Sequence, residues 1–397
     1  MLDMQSLNRL NLKTPVERLA ALKALVKNTA FPEPVPRYIN NHIHTIYSFS
    51  PYSPSAAAYF CKTAGLSTAG IMDHDSLAGA HEFIAAGALL NLPVTVGLEC
   101  RAHVTGTQFE QRTLNNPEQP GSCYMALHAV PRNKIEEAQA YFAPLRKARN
   151  KRNRLMLKAM NSQLFQSGIY LDFNNDILPL SEYKNGGSIT ERHLLFALSK
   201  KLIETFKKGK TLIAELHNLN INPSSALYGL LADEENPFYE YDLLGVLKAE
   251  FLQRIYIPAT DECLHLNELI AFAQSIGAVL AYAYLGDVEE SVTGDKRQQK
   301  FEDAFLEELF EYFIKSGVRA ITYMPSRNTA AQLKRLRVLC REYKLLEISG
   351  EDINSPRQKF ISSAMDNPDF SNLVEAAWAL IAHELGEKDI YTTKRSI

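Results

Sequence analysis

The sequence predicts an α/β protein, a parallel β/α barrel with a mostly helical insertion and its chemistry at the carboxyl ends of the strands. Three observations lead there. Four successive strand-like apolar runs, residues 37–44, 68–74, 93–99 and 124–128, each end in a side chain able to bind a metal. Helical segments with recognisable starts and stops separate the first three. At 397 residues and 46% hydrophobic, the chain is long enough to bury a sizeable core.

Each element has its own justification. Thr14-Pro-Val-Glu is a capping box with proline at the first helical position, opening a helix to about Lys27. Its apolar residues Val16, Leu19, Leu22 and Val26 predict packing outside the barrel or against a partner. Pro32, Pro34 and Pro36 make an extended linker into the first strand. A strand has a side-chain period of two, so His42 and His44 point to the same side and suit one divalent cation. Ser53-Pro54 starts the next helix and Gly65 stops it. In the third strand Val94, Val96 and Leu98 alternate with Thr95, Gly97 and Glu99, which puts Glu99 on the face opposite the apolar residues.

From about 141 to 257 the pattern is helical. The basic run at 146–154 continues into Leu155-Met-Leu-Lys-Ala-Met, which favours a solvated amphipathic helix over a nucleic-acid site. Pro237-Phe-Tyr-Glu-Tyr reads as core packing, with a ring-binding surface as the alternative. The barrel resumes through 258–263 and the helix 266–275, then a strand at 318–323 and a helix at 329–343. A closing helix at 370–387 carries Trp378, expected to be buried. The expected organisation is an N-terminal helix and linker (1–36), barrel (37–140 and 258–365), insertion (141–257) and C-terminal helix (366–397).

A net charge of −2 argues against general nucleic-acid binding. Five dispersed cysteines without a Cys-x-x-Cys pair predict reduced thiols and a cytoplasmic location. Cys100, beside Glu99, is expected to be a buried thiol. No segment approaches the roughly 20 apolar residues that a membrane-spanning helix needs, and none has the form of a signal peptide.

In order and interval, His42-Ile-His44, Asp73-His74, Gly97-Leu-Glu99 and the strand-end His128 resemble the motifs of the PHP (polymerase and histidinol phosphatase) family, metal-dependent phosphoesterases on a distorted barrel of seven β/α units. Ile189-Thr-Glu-Arg-His resembles a segment of the branch acting on nucleotide-like phosphates, with His193 as ligand. Gly350-Glu-Asp-Ile-Asn keeps the family carboxylate as Asp352. The resemblance runs from about 38 to about 360. It implies two divalent ions (manganese, iron or zinc), one held by His42, His44, Glu99 and Asp352, the other by bridging Glu99 with His128 and His193. Phe49, Tyr282 and Asn354 depart from the pattern. A third site, made by the counterparts of Phe49, His74 and Asn354, is expected to be lost, since phenylalanine offers no lone pair.

These residues suggest roles. His74 is expected to bind phosphate or protonate the leaving oxygen, and Asp73 to fix a neighbouring imidazole tautomer. Arg192 suits a bidentate phosphate contact, as do Arg152 or Arg154 from the insertion, which in related phosphatases covers the active site. His81, His103, His217, His265 and His383 fall outside the pattern. The expected activity is hydrolysis of a phosphomonoester of a small, nucleotide-like metabolite. The alternatives are a degenerate module that binds a phosphorylated ligand without turnover, and an amidohydrolase-type metal hydrolase. The expected partner is a small phosphorylated substrate, and the oligomeric state is left open.

Overall fold

The structure is a computed structural model that describes residues 3–288 and 299–390. Its strands are β1 (Val35–Ile43), β2 (Leu66–His74), β3 (Val94–His103), β4 (Ser122–His128), β5 (Leu264–His265), β6 (Val279–Ala283), β7 (Ala320–Tyr323) and β8 (Leu346–Ser349). Helices α1 (Met4–Leu10) and α2 (Pro15–Val26) precede the barrel, and α3 (Pro54–Thr63) and α4 (Ala80–Leu90) connect its first strands. Next come α5 (Ile135–Tyr141), α6 (Ala143–Leu164), α7 (Glu191–Phe206), α8 (Lys210–Asn218), α9 (Ser225–Ala232), α10 (Tyr239–Glu250) and α11 (Leu252–Ile255). Helices α12 (Leu266–Ile276), α13 (Leu306–Ser316), α14 (Ala330–Glu342) and α15 (Ser371–Glu384) complete the fold.

The sheet runs β1-β2-β3-β4-β6-β7-β8, with β5 a short spur on β3. A parallel bridge from Ile43 to Ile353 brings the chain after β8 back to β1, nearly closing a distorted β/α barrel. The expectation of uniformly parallel strands is corrected at one place: β4 is antiparallel to both β3 and β6. The physical reason is the connection. Residues 104–121 contain turns but no helix, whereas a parallel crossover needs a dozen or more residues, usually helical.

Two glycines allow close approaches. A Cβ on Gly97 would collide with the Leu127 carbonyl, so glycine lets β4 pack tightly on β3. A Cβ on Gly350 would sit 2.6 Å from the His42 Cβ, so glycine lets the segment carrying Asp352 pass against β1.

Helix α2 starts at the predicted capping box. It packs on α3 and α4, outside the sheet. Val16 is nonetheless exposed, and buried Arg18 makes a bidentate pair with Glu82 of α4 at 2.9 and 2.6 Å. Helix α15 packs on β1, β3 and β8, and its Glu384 accepts hydrogen bonds from Thr95 Oγ1 and the Val96 amide. Trp378 corrects another expectation. At 46% exposure it lies off the buried stripe of Leu373, Ala376, Ala377, Leu380 and Ile381. The proposed C-terminal helix was drawn to residue 397, of which 391–397 lie outside the described residues. The five cysteines are buried and none forms a disulfide. No described helix is long and apolar enough to cross a membrane.

The core divides into a large cluster around the sheet, a second one built mainly from residues 156–255, and a small third one where Ala376 and Leu380 of α15 meet β6, β7 and β8. Phe49, from the loop after β1, inserts into the second cluster. Its φ of 126° is strained for a bulky residue, at a cost of about 1–3 kcal/mol.

Candidate metal centre

β1 delivers His42 and His44 on one side, as period two requires, with ring centroids 5.1 Å apart. β2 ends at His74, whose ring lies 4.7 Å from His44, and β3 carries Glu99, paired in register with His74. The chain after β8 adds Asp352. His44 Nε2 lies 3.1 Å from Asp352 Oδ1, His74 Nδ1 lies 3.1 Å from Glu99 Oε2, and His42 Nε2 lies 3.8 Å from Glu99 Oε1. Among the described residues two donor sets form, His42–His44–Asp352 and His44–His74–Glu99, with the donor atoms of each within 4.8 Å of one another.

A relay behind His44 sets its tautomer. Ser48 Oγ donates to Asp73 Oδ1 at 2.7 Å, so its lone pair faces His44 Nδ1 at 3.2 Å. A proton on Nδ1 leaves the Nε2 lone pair free toward Asp352. Asp73 also accepts from the Thr45 amide and hydroxyl at 2.7 and 2.6 Å, which folds the loop after β1. Asp73 is thus a buried organiser, acting on the imidazole through Ser48. Neither Thr45 nor Ser48 was singled out in the sequence, where isolated hydroxyls after a His-x-His carry no signal.

Other expected residues are placed differently. His128 is buried, and neither ring nitrogen has a partner among the described residues. His193 joins neither donor set. Its Nδ1 accepts from the Thr190 amide at 3.0 Å, capping α7, which puts the proton of a neutral ring on Nε2. His74 pairs with Glu99 within a donor set, its Nδ1 3.1 Å from Glu99 Oε2. Asn354 Nδ2 donates to Asp352 Oδ1 at 2.6 Å and so orients the carboxylate. Tyr282 packs outward against Phe313 of α13, with ring centroids 4.6 Å apart.

Two arginines expected at substrate lie elsewhere. Arg152 belongs to a buried lattice of Arg101, Arg149 and Arg152 with Asp75, Glu191 and Glu262. Arg152 Nε meets Glu262 at 2.7 Å and its Nη2 meets Glu191. Arg101 meets Glu191 at 2.8 Å and Glu262 at 2.9 Å, and Arg149 meets Asp75 at 2.6 Å. The lattice ties α6 and α7 to the barrel. Arg154 lies on the outer face of α6, donating to Asn174 and stacking on Phe173 at 3.9 Å. Arg192 has no hydrogen bond or ion pair among the described residues, and its buried Nε has no acceptor.

Electrostatics mark the cluster as unsettled without a cation. Burial pushes Glu99 up to about 7, with nearby Asp352 adding to the rise and His44 opposing it. Burial and the charge of His44 bring His42 down to about 4, and burial with His42 brings His128 to about 3. Burial would raise Asp352, but the charge and hydrogen bond of His44 prevail and hold it well below the usual carboxylate range. Burial works against the protonated form of His44 too, yet Asp352 raises it. His44 Nε2 and Asp352 Oδ1 face each other at 3.1 Å, where a divalent ion fits.

No protein-family profile matches the chain, and no curated protein sequence matches it. Solved structures do. A protein from Bifidobacterium adolescentis, provisionally described as a metal-dependent phosphoesterase, aligns with a TM-score of 0.54 at 18% identity, covering 86% of this chain and 98% of its own. An amidohydrolase from Chromobacterium violaceum, solved with sulfate and no metal, aligns with a TM-score of 0.51 at 14% identity, covering 81% of this chain and 89% of its own. The chain therefore has the distorted β/α barrel fold that these two proteins, one provisionally described as a metal-dependent phosphoesterase and one an amidohydrolase, also adopt.

Proposed function

We propose that this protein is a metal-dependent hydrolase of phosphomonoesters. The observation that carries the reading is the convergence of His42, His44, His74, Glu99 and Asp352 within two overlapping donor sets, beside the partnerless ring of His128. Buried polar groups this concentrated are costly without a cation to satisfy them. A mixed imidazole and carboxylate shell suits manganese, iron or zinc.

One imidazole nitrogen has one lone pair, so His44 serves a single ion. In the two-ion reading His42, His44 and Asp352 hold one, and Glu99 with His74 holds the other, with His128 nearby. Divalent ions at such a centre supply Lewis acidity toward water and toward phosphoryl oxygens. The chain does the rest. Asp73 and Ser48 fix the His44 ring, Asn354 fixes the Asp352 carboxylate, and the lattice fixes α6 and α7 beside the centre. Arg192, which has no hydrogen bond or ion pair among the described residues, is the candidate phosphate contact.

We favour phosphate esters over amides because of that guanidinium, and a small nucleotide-like substrate because Phe49 lies against it and Phe196 and Tyr241 pack on that ring. A screen over nucleotides, bisphosphates, sugar phosphates and cyclic amides, with each metal in turn, tests the reading. Release of inorganic phosphate from a phosphomonoester supports it. Turnover confined to cyclic amides assigns the amidohydrolase chemistry of the second structural neighbour instead. Tight binding of phosphorylated ligands with no hydrolysis assigns the degenerate module.

A further inference from the structure

Among the described residues, the buried arginines Arg18, Arg101, Arg146, Arg149 and Arg152 each reach an acceptor or a carboxylate. Arg18 holds Glu82, Arg146 holds the Asp75 carbonyl, and Arg101, Arg149 and Arg152 share three carboxylates. Arg192 differs. Its Nε is sealed from solvent with no acceptor, and no described carboxylate pairs with it. What lies against it is the face of Phe49, 5.1 Å from the guanidinium carbon. A ring face offsets only part of the desolvation of a cation.

Tyr241 of α10 stands on the same aromatic platform. Its ring is 6.1 Å from Phe49 and 5.0 Å from Phe196, and its hydroxyl has no hydrogen bond among the described residues. Arg192 is close enough for its charge to act on the Tyr241 hydroxyl, while Asp352 acts on Arg192. The guanidinium therefore lies in the electrostatic reach of both a free hydroxyl and a residue of the candidate metal centre.

Building on the phosphoesterase reading, we infer that Arg192 and Tyr241 form an anion clamp. They donate together to oxygens of the substrate phosphate, and Phe49 braces the guanidinium from below. Arg192 supplies charge and a planar fork, and Tyr241 supplies one hydroxyl donor of fixed direction. The strained backbone of Phe49 places its ring under the clamp, five residues after His44, the last histidine of the His-x-His pair. Both donors come from the helical segment, so phosphate binding would be sensed there as well as at the metals.

The test uses the full-length, metal-loaded chain, with inorganic phosphate followed by titration calorimetry and hydrolysis of a responsive phosphomonoester by steady-state kinetics. Tyr241→Phe is expected to weaken phosphate about tenfold and raise KM by the same factor, with kcat within about twofold. Arg192→Ala is expected to weaken phosphate about 100-fold, partly restored by added guanidinium ion, with metal content unchanged. Unchanged phosphate affinity in Tyr241→Phe, or a wild-type chain that binds no phosphate, would overturn the clamp. A wild-type chain that binds phosphate through these two residues yet hydrolyses no phosphomonoester sinks the proposed activity and leaves the clamp standing.

Discussion

Two buried polar regions lie side by side in this molecule, and they are built on opposite terms. In the lattice, Arg101, Arg149 and Arg152 face Asp75, Glu191 and Glu262, and every charge meets an opposite one. In the donor cluster, His128 has no hydrogen-bond partner among the described residues, burial pushes Glu99 up to about 7, and His44 Nε2 faces Asp352 at 3.1 Å. The regions interleave in sequence: Asp75 follows His74, and Arg101 lies two residues after Glu99 on the same face of β3. The difference teaches that burial and charge alone do not mark function. A saturated set of charges fastens helices to a barrel, and an unsaturated one waits for something from outside.

The contrast can be broken or sharpened by experiment. Glu99→Gln removes a donor of the cluster while keeping its shape. Hydrolysis is expected to fall by about 1,000-fold or more, measured as phosphate release, with an unchanged circular-dichroism spectrum. Full activity in that variant refutes the site. Arg149→Met leaves Asp75 buried beside fewer cations, so urea denaturation is expected to show a loss of about 3–5 kcal/mol. If Arg149→Met matches the wild type, the lattice is not the fastening described above.

The donor cluster is expected to respond the other way. His128→Leu removes a buried, partnerless ring, so the metal-free protein is expected to gain about 1–3 kcal/mol while its metal affinity falls. A simple loss of stability would place His128 with the structural groups. The smallest effect is on pH dependence. The folded pKa values of His42, His128 and His193 lie at about 4, 3 and 3, below the ordinary 6.5. Unfolding then takes up protons that the folded chain refuses, so stability is present above pH 6.5 and falls as pH drops below it. Glu99, raised to about 7 from an ordinary 4.5, works in the opposite sense over that interval and offsets part of the fall. His128→Leu is expected to shrink the loss between pH 7 and pH 5 by about 2 kcal/mol, read from urea curves of metal-free protein at both values. An equal loss in both proteins would show that His128 titrates normally.

Much of the site was legible because its signals are local. His42 and His44 share a face by strand periodicity, and Glu99 opposes its apolar neighbours for the same reason. Strand, ligand and helix in succession announced a barrel, and the structure has one. Where the structure places side chains differently from the expectation, the cause is shared as well. Arg152 read as a substrate contact because its partners, Glu191 and Glu262, are 39 and 110 residues away. His193 read as a ligand, but a helix start three residues earlier claimed its Nδ1. Trp378 read as buried from its type, whereas its position on α15 turns it outward.

The amino-acid order alone determined which strands end in side chains able to bind a metal, where most helices begin, and that the chain is α/β. Those properties depend on residues a few positions apart, where backbone geometry leaves few options. Only the tertiary structure decided that β4 runs antiparallel, that Asp352 meets His44, and that Phe49 crosses into the second core beneath Arg192. Each joins segments distant in sequence. Which buried charge finds a partner, and which is left open, is settled when those segments pack together.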